Sequence, residues 1–129
     1  MSQKQSIVVI SGSRERLQMA AMVASVAAVG GSEVMVFLSM NALPFFARKS
    51  DARPDLEGPV GKLLEQKNVP PFGELFEQAC ELGDAKVYPC SMAMDVLGLS
   101  QEDLEPYIGE AMGLTKFLAE AADSQVWTF

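Results

Sequence analysis

Ser6–Ile10 (SIVVI), Ser11-Gly12-Ser13, Arg14–Val29 (RERLQMAAMVASVAAV), Gly30-Gly31 and Glu33–Leu38 (EVMVFL) decide the fold. SIVVI is a continuous β-branched apolar run, which suits a strand buried on both faces. Ser13 can cap a helix starting at Arg14, and Gly30-Gly31 ends it. The apolar residues of that helix go most of the way round. It is therefore expected to pack on a sheet on one side and on a neighbour on the other. A second apolar run, Glu33–Leu38, then completes a βαβ unit with a right-handed crossover.

Working outward, Ser39–Pro44 leaves the sheet. Residues 45–58 (FFARKSDARPDLEG) mix charges with Pro and Gly and read as a surface excursion, with or without a helical part. Val60–Gln66 suits a helical turn or two, and Pro70-Pro71 is a break. Phe72–Leu82 has helical apolar spacing ended by Gly83, and Lys86–Tyr88 is a short third strand. Ser100–Asp103 resembles a capping box with Asp in place of Glu. Gly109–Ala122 reads as the last helix and Gln125–Phe129 as a closing strand. Alternating strands and helices imply an α/β fold with a mainly parallel sheet covered on both faces. At 129 residues, with 49% apolar residues, the chain is expected to be a single domain, residues 1–129, with a real core.

The net charge is -7, which argues against a nucleic-acid partner and against anionic membranes. The longest apolar stretch, Leu17–Val29, is too short to span a bilayer. Ile7–Ile10 is too short for a signal peptide, so the expectation is cytoplasmic. There is no histidine, which removes Ser-His and Cys-His catalysis and most zinc sites. The two cysteines form no CxxC and no disulfide framework.

Cys90 is the chief candidate. It follows a strand and precedes a helical segment, where ligand sites of parallel sheets gather. Unpaired N–H groups at a helix start favour thiolate over thiol. Ser91 or the following amides could donate to the sulfur. The alternative is that Cys90 is a small buried hydrophobe. Cys80, on an apolar helix face, suits the core; exposed beside Cys90 it would be a resolving thiol. Gly12 and Ser13, opening the first helix, could hold an anion, or Gly12 simply makes the turn. Arg14 and Arg16 could attract an anionic substrate or be solvated. Met92 and Met94 suit core filling better than soft-metal binding. Asp95 orients a group near the site or faces water. The acidic run around Glu102, Asp103, Glu105 and Glu110 reads as a solvated face or, alternatively, as a partner site.

Tyr88–Leu99 (YPCSMAMDVLGL) resembles the cysteine motif of the DsrE/DsrF-like proteins, in the branch labelled peroxiredoxin-like. There a strand delivers a cysteine, followed by a Met-rich turn, an Asp and a Gly. Residues 6–43 are similar to that branch's first βαβ unit, and residues 109–129 to its final helix and strand. The chain departs from typical relatives after Leu38. There Ser39-Met40-Asn41-Ala42 replaces an aromatic-rich run, and few basic residues lie near the motif. The resemblance implies a flavodoxin-like three-layer fold, with a sheet of about four to five strands. It further implies a persulfide on Cys90, sulfur passed between partners, and homo-oligomers. No peroxidatic motif is visible.

The leading expectation is thus a sulfur carrier or sulfurtransferase-like protein without cofactor or metal. Its partners would be sulfur donors and acceptors, either proteins or small sulfane-sulfur compounds. Ser91, Met92, Asp95, Gly12 and Ser13 would play supporting roles. The alternatives are a non-catalytic ligand-binding or regulatory module, with Cys90 structural, and a structural oligomer subunit.

Overall fold

A computed structural model describes residues 3–129. Four strands, β1 (Lys4–Val9), β2 (Glu33–Leu38), β3 (Lys86–Pro89) and β4 (Gln125–Thr128), form one parallel sheet in the order β3-β2-β1-β4. Helices α1 (Arg14–Val29), α2 (Pro59–Gln66), α3 (Phe72–Gly83), α4 (Ser91–Leu97) and α5 (Leu114–Glu120) complete it. With helices on both sides of the sheet, this is a three-layer α/β fold of flavodoxin-like type. Central strand β2 is buried from Val34 to Leu38, as its unbroken apolar run requires. In β1 the Ser6 hydroxyl is buried and bonds the Ser124 hydroxyl at 2.7 Å. Ser124 in turn donates to the Ala121 carbonyl, so nothing in this chain of bonds is left unpaired.

Helix α1 begins at its Ser13 cap, whose side chain accepts from the Arg16 amide. Its buried face is largely small: Ala20, Ala21, Ala24 and Ala28 stand beside Leu17 and Gln18. Small residues let α3 come close, and α3 is the neighbour the apolar pattern asked for. At the closest point Gly83 lies on Ala28, where a Cβ would meet the Ala28 carbonyl carbon at 2.5 Å. The left-handed residue that stops α3 is Asp84 (φ 56°), so Gly83 serves packing rather than termination. The coverage of α1 is incomplete. Met19, Met22 and Val26 stay exposed and, with Trp127 of the edge strand β4, line a shallow apolar cleft.

The structure corrects the sequence reading in two further places. Residues 45–58 are not wholly a surface excursion, because Met40–Phe46 forms a 3-10 turn that drives Phe46 into the core. Phe46 meets Phe76 and Phe72 edge-on, with ring centroids 5.4 and 6.0 Å away. The last helix starts at Leu114, not Gly109. Gly109–Met112 runs extended along the outer edge of β3, with the Gly109 amide donating to Val87 O at 2.7 Å. An edge strand leaves backbone groups unpaired, and pairing them outweighs the helical composition of this segment.

Candidate functional site

Cys90 stands where β3 turns into α4, at the N-cap position of that helix with extended backbone. Three neighbours frame it. Its N–H donates to Leu38 O at 2.8 Å, at the end of β2. Its carbonyl accepts from the Met94 amide at 3.0 Å, starting the helix. Met112 bridges it on the open side: the Met112 amide donates to Pro89 O, and the Ser91 amide donates to Met112 O. The backbone at Cys90 is thereby fixed on both flanks.

An N-cap side chain ordinarily accepts a hydrogen bond from the second or third amide of its helix. The Cys90 sulfur makes no such bond. Among the described residues, the amides of Met92 and Ala93 have no protein acceptor. A strongly fixed backbone thus carries an uncommitted sulfur beside two uncommitted donors. The residue itself is 5% exposed. Ser91, Met92 and Asp95 are exposed on α4, whereas Ala93 and Met94 are buried under it. The helix stops at Gly98, whose φ of 69° suits glycine. There the Leu99 amide closes back on Met94 O at 2.9 Å, which accounts for the glycine in the motif.

Gly12 and Ser13 lie on the same, C-terminal edge of the sheet, at the end of β1. The 3-10 turn of residues 40–46 stands between them and α4. Its Asn41 carbonyl sits 2.9 Å from where a Gly12 Cβ would be, so only glycine fits beneath that turn. Ser13 is occupied by protein groups. Its hydroxyl donates to the Glu57 carboxylate, which also accepts from Arg16 Nε at 3.3 Å. Segment 55–58 is strapped across the start of α1. The Arg14 amide donates to Asp55 O, while Glu15 accepts from the amides of Glu57 and Gly58 at 3.0 and 2.7 Å. Those bonds, led by the Glu57 amide, hold the Glu15 carboxyl below the usual range. The place at which the sequence suggested an external anion therefore holds the protein's own carboxylates.

Two cavities open on this edge, of about 570 and 560 Å³. One lies between Arg48–Ser50 and Leu97–Asp103, the other beside Ser11–Ser13 and Glu57. Cys90 lines neither. The Ser100–Asp103 capping box is present: the Asp103 carboxylate accepts from the Ser100 amide at 2.8 Å and from its hydroxyl. Glu102, Asp103 and Glu110 are exposed and Glu105 half-buried.

Cys80 is half-buried on α3. Burial pushes its thiol up to about 11; Glu81, Asp84 and Glu77 add to the rise and Lys86 opposes it. Lys86 begins β3 and Cys90 follows its end, a span of about 13 Å at strand rise. Cys80 thus lies on the helix that precedes β3, and Cys90 beyond the strand's other end. Sequence reasoning missed the frame itself, namely Leu38, Gly109 and Met112. The only local signal was Gly109, where a Cβ would approach Val87 O to 3.1 Å. Among the described residues no three His, Cys, Asp or Glu side chains gather as a metal site would need, and no helix is long and apolar enough to cross a membrane.

Two solved structures share this architecture. The YchN protein from Escherichia coli superposes with a TM-score of 0.72 and 16% identity, over 100% of both chains. MTH1491 from Methanobacterium thermoautotrophicum, a protein of unknown function, superposes at 0.65 and 11% identity, over 99% of this chain and 100% of that one. At such identities the likeness is one of fold. A search of the curated proteins finds no match. The model of the DsrE/DsrF/DrsH-like family matches residues 52–129, which carry the β3–Cys90–α4 junction and everything after it. With more than half of its length matched, the chain belongs to the DsrE/DsrF/DrsH-like family.

Proposed function

We propose that this protein, acting as a single domain of residues 1–129 in the cytoplasm, is a sulfur carrier of sulfurtransferase type with Cys90 as its carrier residue. The observation that carries the reading is the uncommitted sulfur at the N-cap of α4, beside the free amides of Met92 and Ala93. Family membership supports it. The Cys90 thiolate attacks the outer, sulfane sulfur of a persulfide donor, R–S–SH. The donor's S–S bond breaks as the new S–S bond forms, and the donor leaves as a thiolate. An acceptor thiolate then attacks the outer sulfur of Cys90–S–SH and returns the Cys90 thiolate. No net electrons are gained or lost, so no cofactor is needed. Amides at a helix start favour the anion at each stage. Exposed Ser91 and Met92 mark the side from which a donor approaches, and Asp95 faces the same solvent.

Partners are then sulfur donors and acceptors, protein or small molecule, and further copies of the chain. A second copy set against Met19, Met22, Val26 and Trp127 would cover the apolar cleft of α1 and β4. Sedimentation tests that point directly, since a strict monomer at high concentration excludes it.

A second reading is favoured by one observation, the 5% exposure of Cys90 away from both cavities. In it the thiol is packing and the module binds a small ligand without chemistry. Brief exposure to polysulfide followed by intact-mass spectrometry separates the two. The carrier predicts reducible additions of whole sulfur atoms on wild type and Cys80→Ser, absent from Cys90→Ser. Native protein that takes up no sulfur, with both thiols reacting only after denaturation, would falsify it.

A further inference from the structure

Away from Cys90, a third cavity of about 340 Å³ opens between the start of α1, the end of α2 and the turn that leads to α3. Its charged lining is Arg14, Arg53 and Lys67 against the single carboxylate of Glu65. That is three of the ten basic side chains of a chain whose net charge is -7.

The three cations differ in how they are held. Arg14 is mostly buried, and its Nε lies 3.1 Å from a Glu65 oxygen. The angle of approach is poor, so this buried N–H makes no hydrogen bond. A buried guanidinium donor without an acceptor costs free energy until one is supplied. Arg53 and Lys67 are exposed, and among the described residues neither has a carboxylate partner. The wall opposite is tied down at one point. Buried Gln18 donates through Nε2 to Pro70 O at 3.0 Å and pins the 67–71 turn.

We infer that this cavity binds a small anion carrying about two negative charges, a phosphate or phosphomonoester group held by Arg14, Arg53 and Lys67. Two guanidinium forks and one ammonium supply the donors that tetrahedral phosphate oxygens accept, in the geometry arginine is suited to. The volume falls in the range of small-ligand sites. Three cations less one carboxylate leave two positive charges, which matches a dianion. Glu65 is the internal competitor: it holds Arg14 while the cavity is empty and repels the anion that enters. Leu64, Val69 and Pro71 give the remaining wall an apolar surface for the body of a phosphorylated small molecule.

The test is titration of the intact protein with inorganic phosphate at constant ionic strength, read by amide and arginine Nε chemical shifts. Succinate serves as a dicarboxylate of equal charge. The expected result is saturable shifts at Arg14, Arg53 and residues 64–69 with a millimolar dissociation constant, and weaker saturation by succinate. Arg53→Ala and Lys67→Ala, both surface changes, each weaken phosphate by about tenfold. Glu65→Gln tightens it severalfold, which a merely structural ion pair would not do. Lys49→Ala, outside the cavity, leaves it unchanged. Shifts that never saturate, that survive in the Arg53→Ala/Lys67→Ala double variant, or that weaken in Glu65→Gln overturn the assignment. So does succinate binding as tightly as phosphate, since that reports charge alone.

Discussion

Replacing Gly83 with alanine tests whether backbone contact at Ala28 sets the spacing of α1 and α3. The added Cβ would stand 2.5 Å from both the carbonyl carbon and the Cβ of Ala28, and 2.8 Å from its oxygen. Two of these three atoms are backbone in the last turn of α1, so no side-chain rotation relieves the overlap. The helices must separate by about 1 Å to reach ordinary contact, and overpacking of this kind costs about 1–3 kcal/mol. Alanine is the better helix former by about 1 kcal/mol in a helix interior. At the last position of α3 less than that is recovered, so the net expectation is a loss of about 2 kcal/mol. With a urea dependence of about 2 kcal/mol per molar, the unfolding midpoint should fall by about 1 M. Gly61→Ala is the matched control. Its Cβ also meets atoms at 2.5 Å, but they belong to the Glu15 carboxylate, the far end of a flexible side chain. That carboxylate can swing away, losing exposed bonds to Glu57 and Gly58, while helix propensity in α2 improves. Its midpoint should stay within about 0.5 M of wild type. Equal midpoints for Gly83→Ala and wild type would mean that backbone contact at Ala28 does not set the spacing of the two helices.

Other predictions concern the thiol, the strap and the carboxylates. In a Cys90→Ser background, Cys80 should react with iodoacetamide at pH 8 about a hundredfold slower than a free thiol, because a group raised to about 11 is one part in about a thousand thiolate there. A rate close to that of glutathione would mean Cys80 is not held protonated. Ser13→Ala removes the α1 cap and the donor to Glu57, and should cost about 1–2 kcal/mol in urea unfolding. An unchanged midpoint would show that segment 55–58 is held without Ser13. Glu15, Asp103 and Asp123 all have carboxyls lowered by hydrogen bonds that accept into the charged form, from Glu57, Ser100 and Lys4 respectively. The folded state thus binds fewer protons than the unfolded one as pH falls through the ordinary carboxylate range. The stability these carboxylates contribute is present above that range and is lost as pH falls through it. Glu15→Gln should flatten that part of the profile, and an unaltered acid limb would rule Glu15 out as a contributor.

Legibility in the sequence followed how local the cause was. The first βαβ unit could be read because a β-branched run, a serine cap and paired glycines act within a few residues. Gln18 and the alanines of α1 gave the helix but not its partner. That depends on Gly83, more than fifty residues away, which the pattern assigned to helix termination. Phe45-Phe46 sat beside Arg48, Lys49 and Asp51, and the charged neighbours masked a core residue, because irregular segments bury side chains without a period.

The Cys90 site divides along the same line. Its position at a strand–helix junction was readable from Pro89 before it and Gly98 after it, both of which act locally. What holds it was not, because β3 is an edge strand only four residues long with one side open. Gly109–Met112 supplies the missing pairing across a separation of about twenty residues, and its Gly-Glu-Ala-Met composition looks helical until that demand is counted. Met112 bridges Cys90 on that same flank, and both residues are buried. Access to Cys90 is then expected to depend on the integrity of the β3 edge. A perturbation that loosens Gly109–Met112 should speed Cys90 modification before it unfolds the sheet. Met112→Pro, which removes the donor to Pro89 O, would reveal this as faster alkylation at an unaltered far-ultraviolet spectrum. Alkylation no faster than in wild type would mean that the β3 edge does not gate the thiol.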